Sequence, residues 1–166
     1  MPGRRINEWG IRTRWIGHSS GGYWDFCDFP LQDADLEAIR NWPMPDPDDF
    51  DYPALLDEAR RYADYCLVIG DPGFGDCINT AGMLRTMEIV LMDLFEDSEE
   101  LQLLLERKNA VQLGVVERIL DKTKGRVDLL WLGEDLGTQT GPILSLELFR
   151  RHLLPHHQRF VDLARA

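Results

Sequence analysis

Long apolar runs are missing from this 166-residue sequence. No stretch approaches the roughly 18 residues that a helix needs to cross a bilayer. The opening Met1-Pro-Gly-Arg-Arg-Ile-Asn-Glu-Trp9 lacks the apolar centre of a secretory signal, so the expectation is a soluble, cytoplasmic protein with no membrane partner. Cysteine is scarce. Cys27, Cys66 and Cys77 are odd in number and show neither CxxC nor CxC spacing, which argues against a disulfide framework or a zinc clip. They read as buried or idle thiols, and no metal ligand is assigned. Also missing are GxGxxG, a Walker lysine and HExxH, and neither Ser19 nor Ser20 is assigned as a nucleophile. His152 and His156 have chelate spacing on a helix, but Pro155 disturbs that geometry, and His18 stands isolated. Basic residues are few: 18 Lys and Arg face 29 Asp and Glu, a net charge of −11. Between Asp25 and Glu58 eleven acids meet one base, Arg40. That field repels phosphate backbones, so nucleic acid is excluded as a partner and the stretch reads as a solvated acidic surface.

What is present suits one globular domain: 44% hydrophobic and 10% aromatic residues can build a core. Residues 1–32 carry Trp9, Trp15, Tyr23, Trp24, Phe26 and Phe29 among glycines, without helical periodicity. Irregular segments or a short hairpin are expected there, their aromatics covering a neighbouring core. A short helix over Asp33–Asn41 ends at Pro43, Pro45 and Pro47, and residues 42–53 form an extended connection. Pro53 opens a helix running to about Asp64. Cys66-Leu-Val-Ile69 and Val127-Asp-Leu-Leu-Trp-Leu132 are short apolar runs typical of strands buried on both faces. Between them lie two helices, about Asp76–Phe95 and Ser98–Lys122, the second capped by Ser98 and stopped at Gly125. Ser145 caps a last helix that Pro155 should kink. This alternation predicts an α/β fold with about two core parallel strands and flanking helices.

In parallel sheets ligands gather at the carboxyl ends of the strands, which singles out two loops. The loop after the second strand, Gly133-Glu-Asp-Leu-Gly-Thr-Gln-Thr-Gly-Pro142, has two adjacent acids that can point to opposite sides. Its glycines let it bend, and Thr138, Gln139 and Thr140 offer donors. A capped, solvated turn is the alternative. The loop after the first strand, Gly70-Asp-Pro-Gly-Phe-Gly-Asp76, precedes a helix whose free amides could meet an anion.

Four segments carry a resemblance: Asn7-Glu-Trp-Gly10; Trp42-Pro-Met-Pro-Asp46; Ala81-Gly-Met-Leu-Arg-Thr-Met-Glu88 with Leu91-Met-Asp-Leu94; and Gly133–Pro142 continuing to Phe149-Arg-Arg-His-Leu-Leu-Pro155. On these the chain resembles the uroporphyrinogen decarboxylase (URO-D) family, whose barrel is shared with corrinoid-dependent methyltransferases. The resemblance implies a partial TIM (β/α)8 barrel across 1–166, with 1–52 an irregular aromatic segment and Pro-rich linker and 53–166 the α/β portion. It implies cofactor-independent decarboxylation of tetrapyrrole acetate side chains. The alternative in the same superfamily is zinc- and corrinoid-dependent methyl transfer, with the zinc ligands outside this chain. Ala81, where decarboxylases place a tyrosine, and Glu134-Asp135-Leu136-Gly137, where they have acid-Ser-aromatic-Gly-Gly, look more like the methyltransferase branch. On either branch Asp135 is the first choice for a pocket-facing carboxylate and Glu134 the second. Gln139 would orient the ligand, with Asp71, Phe74 and Gly75 on the opposite wall. Partners implied are a tetrapyrrole or corrinoid-linked small molecule, and a second copy or the remaining barrel segments. Two further expectations compete: a non-catalytic fragment, and an acidic interaction module.

Overall fold

Extended, aromatic-rich sequence builds a sheet at the N-terminus. In the computed structural model, which describes residues 3–166, β1 (Arg4–Ile6), β2 (Arg12–His18) and β3 (Gly21–Phe26) form an antiparallel meander. Trp15 pairs with Trp24 across β2 and β3, ring centroids 5.6 Å apart and edge-on, and the Arg5 guanidinium lies 3.8 Å over the Trp24 ring. Such cross-strand pairs stabilise a pleat that single residues do not announce. The segment expected to be irregular or a short hairpin is therefore a hairpin with one additional strand. Its aromatics do not cover a core either: Trp15, Tyr23 and Phe26 are exposed, and Trp9 is the one that packs inward.

The acidic stretch has local work. Asp35 accepts from Ala38 N (2.8 Å) at the start of α1 (Leu36–Asn41), and Asp51 accepts from Ala54 N (3.1 Å) at the start of α2 (Tyr52–Arg61). Asp46 accepts from Asp48 N (2.9 Å) at a single 3₁₀ turn, Pro47–Asp49. Asp carboxylates at these positions satisfy amides that the helices leave free. The linker is extended around that turn, as its prolines predict. Trp42 anchors it by donating Nε1–H to Trp9 O (3.1 Å), its ring closing over Gly10, where no Cβ would fit.

Two parallel strands follow as expected, β4 (Val68–Gly70) and β5 (Leu129–Trp131), paired Val68 to Leu129 and Gly70 to Trp131. Their crossover holds three helices rather than two: α3 (Ile78–Arg85), α4 (Met87–Glu96) and α5 (Glu99–Thr123). The break falls at Thr86, whose φ of 78° ends α3 while its hydroxyl accepts from Ile89 N to cap α4. Buried Arg85 bridges the break by pairing with Asp93 (3.0 Å) and donating to the carbonyls of Leu31 and Ala34. The last helix is interrupted ahead of Pro155. A short turn, α6 (Leu146–Leu148), passes into π-helical Phe149–Leu153 and then α7 (Leu154–Arg165). Proline has no N–H to offer and crowds the carbonyl four residues back, and a widened turn accommodates it.

The main core lies among α1, α3, α4, α5 and the π-helical turn, through Ile39, Ile78, Leu84, Leu94, Leu101, Leu105 and Leu153. A smaller cluster, Leu113 and Val116 of α5 with Phe160 of α7, packs against Ile69 and Leu130 of the parallel strands. That covers one face of β4 and β5. The opposite face is bare, with Val68 47%, Leu129 57% and Trp131 51% exposed, so the expectation of strands buried on both faces is corrected. Among the described residues no second layer lies there. No helix is long and apolar enough to cross a membrane among the described residues.

Candidate functional site

Backbone contact between the two strand-end loops organises this end of the sheet. Gly133 lies so close to Pro72 that an added Cβ would overlap the Pro72 carbonyl, and Gly133 N donates to Phe74 O (2.8 Å). Gly133 thus serves close approach more than loop bending.

The next residue, Glu134, turns inward. Its Oε2 accepts from Cys77 N (2.6 Å) and its Oε1 from Ile78 N (3.2 Å). The start of α3 has no side-chain cap of its own, so a carboxylate from 57 residues downstream satisfies its first amides and meets the positive end of the helix. His157, from α7, brings Nε2 to 3.2 Å from Glu134 Oε2 and 3.9 Å from Cys77 Sγ. A thiol, a carboxylate and an imidazole therefore meet within 4.8 Å of one another. Asn109 of α5, fully buried, places Nδ2 3.9 Å from the same sulfur. Burial, reinforced by the Glu134 charge, pushes the Cys77 thiol up to about 12, so it is protonated at neutral pH. Just beneath, Lys108 and Asp76 form a buried ion pair, 3.3 Å between Nζ and Oδ1, with Nζ also donating to the Asp76 carbonyl. Thr80 completes the Asp76 shell through N (2.6 Å) and Oγ1 (2.7 Å).

The other expected site residues are spread more widely. Asp135 is exposed, its Oδ1 3.4 Å from Gly137 N, and Glu134 is the acid that turns inward to the α3 amides. Adjacent residues near a strand end face opposite ways, and the approach to Pro72 fixes which acid turns in. Gln139 is exposed at the loop tip. The neighbouring threonines serve their own turn: Thr138 Oγ1 accepts from Thr140 N and Gly141 N and donates to Gly141 O. Asp71 is exposed and accepts from Gly73 N (2.7 Å). Gly75 is buried with φ 74°, tight against Leu132. Asp71 and half-buried Phe74 do share a cleft of about 340 Å³ with Asn7, Trp9 and Gln112, in which Asp135 and Gln139 take no part. The Oε1 of Gln112 there is buried without a hydrogen-bond partner among the described residues.

Sequence reasoning missed Cys77 and His157. They lie 57 residues before Glu134 and 23 after it, so no local spacing flags them. The available hint was positional: Cys77 opens a helix directly after one strand-end loop. The histidine pair singled out by its spacing does not converge. His152 contacts Gln102 Nε2 (2.8 Å) and Asp97 Oδ1 (2.9 Å), whereas His156 faces Glu106 at 4.0 Å. Burial lowers the pKa of His156.

No family model, curated protein or solved structure matches the chain.

Proposed function

We propose that this chain contributes two strands and their outer helices to a partial (β/α)8 barrel of the uroporphyrinogen decarboxylase type, acting on a tetrapyrrole carboxylate at the strand ends. The observation that carries the reading is the parallel pair itself. Its helix-side face is packed, its opposite face is apolar and bare, and both of its carboxyl-end loops are locked together by Gly133 and Glu134. In a barrel the bare face is the interior and the strand ends form the mouth. A second copy, or further barrel strands, would cover it.

In this reading Asp135 is the carboxylate free to meet substrate. It stabilises the pyrrole ring as the ring takes up a proton. The carboxylate of the acetate side chain then leaves as carbon dioxide, its C–C bond pair flowing into the ring, and the methylene left behind takes a proton to become methyl while the ring gives one up, with no cofactor. Gln139 orients the ligand. Glu134 keeps the loop in place through the α3 amides, while Asp71, Phe74 and Gly75 shape the other loop. A buried Ala81, where a decarboxylase carries tyrosine, favours a second reading, zinc- and corrinoid-dependent methyl transfer on the same scaffold. Two assays on the complete polypeptide separate them: carbon dioxide release from uroporphyrinogen, and demethylation of methylcobalamin by a thiol. Activity in the first, lost in Asp135→Ala, supports the decarboxylase. Activity only in the second supports methyl transfer, and absence of both overturns the enzymatic reading in favour of a non-catalytic fragment.

A further inference from the structure

The buried cluster at the start of α3 has a use that the decarboxylase reading leaves unassigned. Hydrogen bonding within the chain explains Glu134, which caps the helix, but not why a thiol and an imidazole are gathered within 4.8 Å of its carboxylate. A nucleophilic relay does not explain it either. In a relay the histidine contacts its acid through one ring nitrogen and its thiol through the other. Here His157 Nε2 alone faces both Glu134 Oε2 (3.2 Å) and Cys77 Sγ (3.9 Å). Donor atoms of three kinds converge on one point.

We propose that Cys77 Sγ, Glu134 Oε2 and His157 Nε2 form a three-ligand zinc site with its fourth tetrahedral position open. The spacing is that of a chelate. Zinc with bonds of about 2.3 Å to sulfur and about 2.0–2.1 Å to nitrogen and oxygen separates tetrahedral S and N donors by about 3.6 Å, and N and O donors by about 3.4 Å. The observed 3.9 and 3.2 Å each differ from those values by a few tenths of an ångström, within reach of side-chain rotation. The mixed sulfur, nitrogen and oxygen set suits zinc better than magnesium or calcium, which favour oxygen alone. Supporting contacts surround the ligands. The amides of Cys77 and Ile78 hold the carboxylate, and Asn109 Nδ2 lies against the sulfur. The Asn109 Oδ1 is buried with no partner among the described residues, a free acceptor beside the sulfur. Three protein ligands with one open position is the pattern of sites that bind water or a small thiol at the metal.

The site stands apart from the proposed activity, because metal binding is measured on the chain without substrate. Chain stripped with a chelator is titrated with cobalt(II). The expected result is one equivalent bound, with a thiolate-to-cobalt charge-transfer band in the near ultraviolet and intense visible bands of four-coordinate cobalt, all displaced by zinc. Cys77→Ser removes the charge-transfer band, and His157→Gln weakens binding more than about 100-fold, beyond the loss typical of supporting residues. Cys66→Ser, at an exposed thiol, leaves the spectrum unchanged. No saturable binding, binding without the thiolate band, or a band that survives Cys77→Ser overturns the proposal. The wild-type spectrum decides the matter if either ligand variant fails to fold.

Discussion

Lys108→Met is the substitution whose cost the structure defines best. Lys108 and Asp76 are each 2% exposed, and Lys108 reaches both the carbonyl and a carboxylate oxygen of Asp76. Methionine keeps the length of the stem and removes the charge, leaving the Asp76 carboxyl group buried with only the two Thr80 donors. Breaking one side of a buried pair costs about 3–5 kcal/mol. Because Thr80 still satisfies the carboxylate, the loss belongs at about 3 kcal/mol, a large share of the about 5–15 kcal/mol that holds a domain together. In a chain of this length that lowers Tm by about 6–12 °C. Asp76→Asn should cost a similar amount by stranding the ammonium. The double variant removes both charges, so it should cost clearly less than the two single losses together. Urea denaturation of the wild type and the three variants, followed by circular dichroism, gives the cycle. A loss below about 1 kcal/mol in Lys108→Met, or additivity within about 0.5 kcal/mol, would refute the pairing.

Glu134→Ala removes two charge-assisted hydrogen bonds from the start of α3 and should destabilise by about 2–4 kcal/mol, whereas exposed Asp135→Ala should stay within about 0.5 kcal/mol. Equal urea midpoints for the two would contradict the inward placement of Glu134. His156 makes stability depend on pH. Burial lowers its pKa from 6.5, outweighing the pull of Glu106, and Arg159, His157 and Lys108 lower it further. Below pH 6.5 the unfolded chain takes up a proton that the folded chain resists, so stability present above 6.5 is lost as pH falls towards the folded pKa. His156→Phe should flatten the slope of the urea midpoint just below pH 6.5; an unchanged slope would count against this. The bare face of β4 and β5 should make the isolated chain self-associate, visible as concentration-dependent mass in sedimentation. Trp131→Lys should reduce that association, and a stable wild-type monomer that unfolds cooperatively would show the face to be tolerated.

Legibility in the sequence followed the range of each interaction. Ser98 capping a long helix, Pro53 near the start of α2 and the glycine stop after Thr123 were readable because caps and stops act over a few residues. The two apolar runs were readable as parallel strands from the helices between them. The antiparallel meander was less so, since Gly17, Gly21 and Gly22 blur its alternation and its stability comes from pairs such as Trp15 with Trp24. The break at Thr86 was hidden by continuous apolar periodicity; it is held by the Thr86 cap on α4 and by Arg85 reaching Asp93, Leu31 and Ala34. At the strand ends the loops were identifiable, but which acid turns inward depends on the Gly133 contact with Pro72, and the partners Cys77 and His157 come from other elements.

The distribution of buried apolar groups also bears on how firmly that cluster is held. The main core ties α1, α3, α4 and α5 together without the parallel strands, which rest on the smaller group around Val116 and Phe160. The helical layer is therefore the rigid part, and the sheet, bare on its far side, is the part that gains most from an added layer. Cys77 sits in the rigid part, packed with Ile78 and Ala81, whereas Glu134 belongs to the loop beyond β5 and His157 to α7. The hydrogen bonds from Cys77 N and Ile78 N to Glu134, together with the Gly133 contact, are what fasten the weaker sheet to the stronger helices. A ligand that draws Cys77, Glu134 and His157 together would tighten that join, so occupancy of the cluster and order of the strand-end loops should rise and fall together.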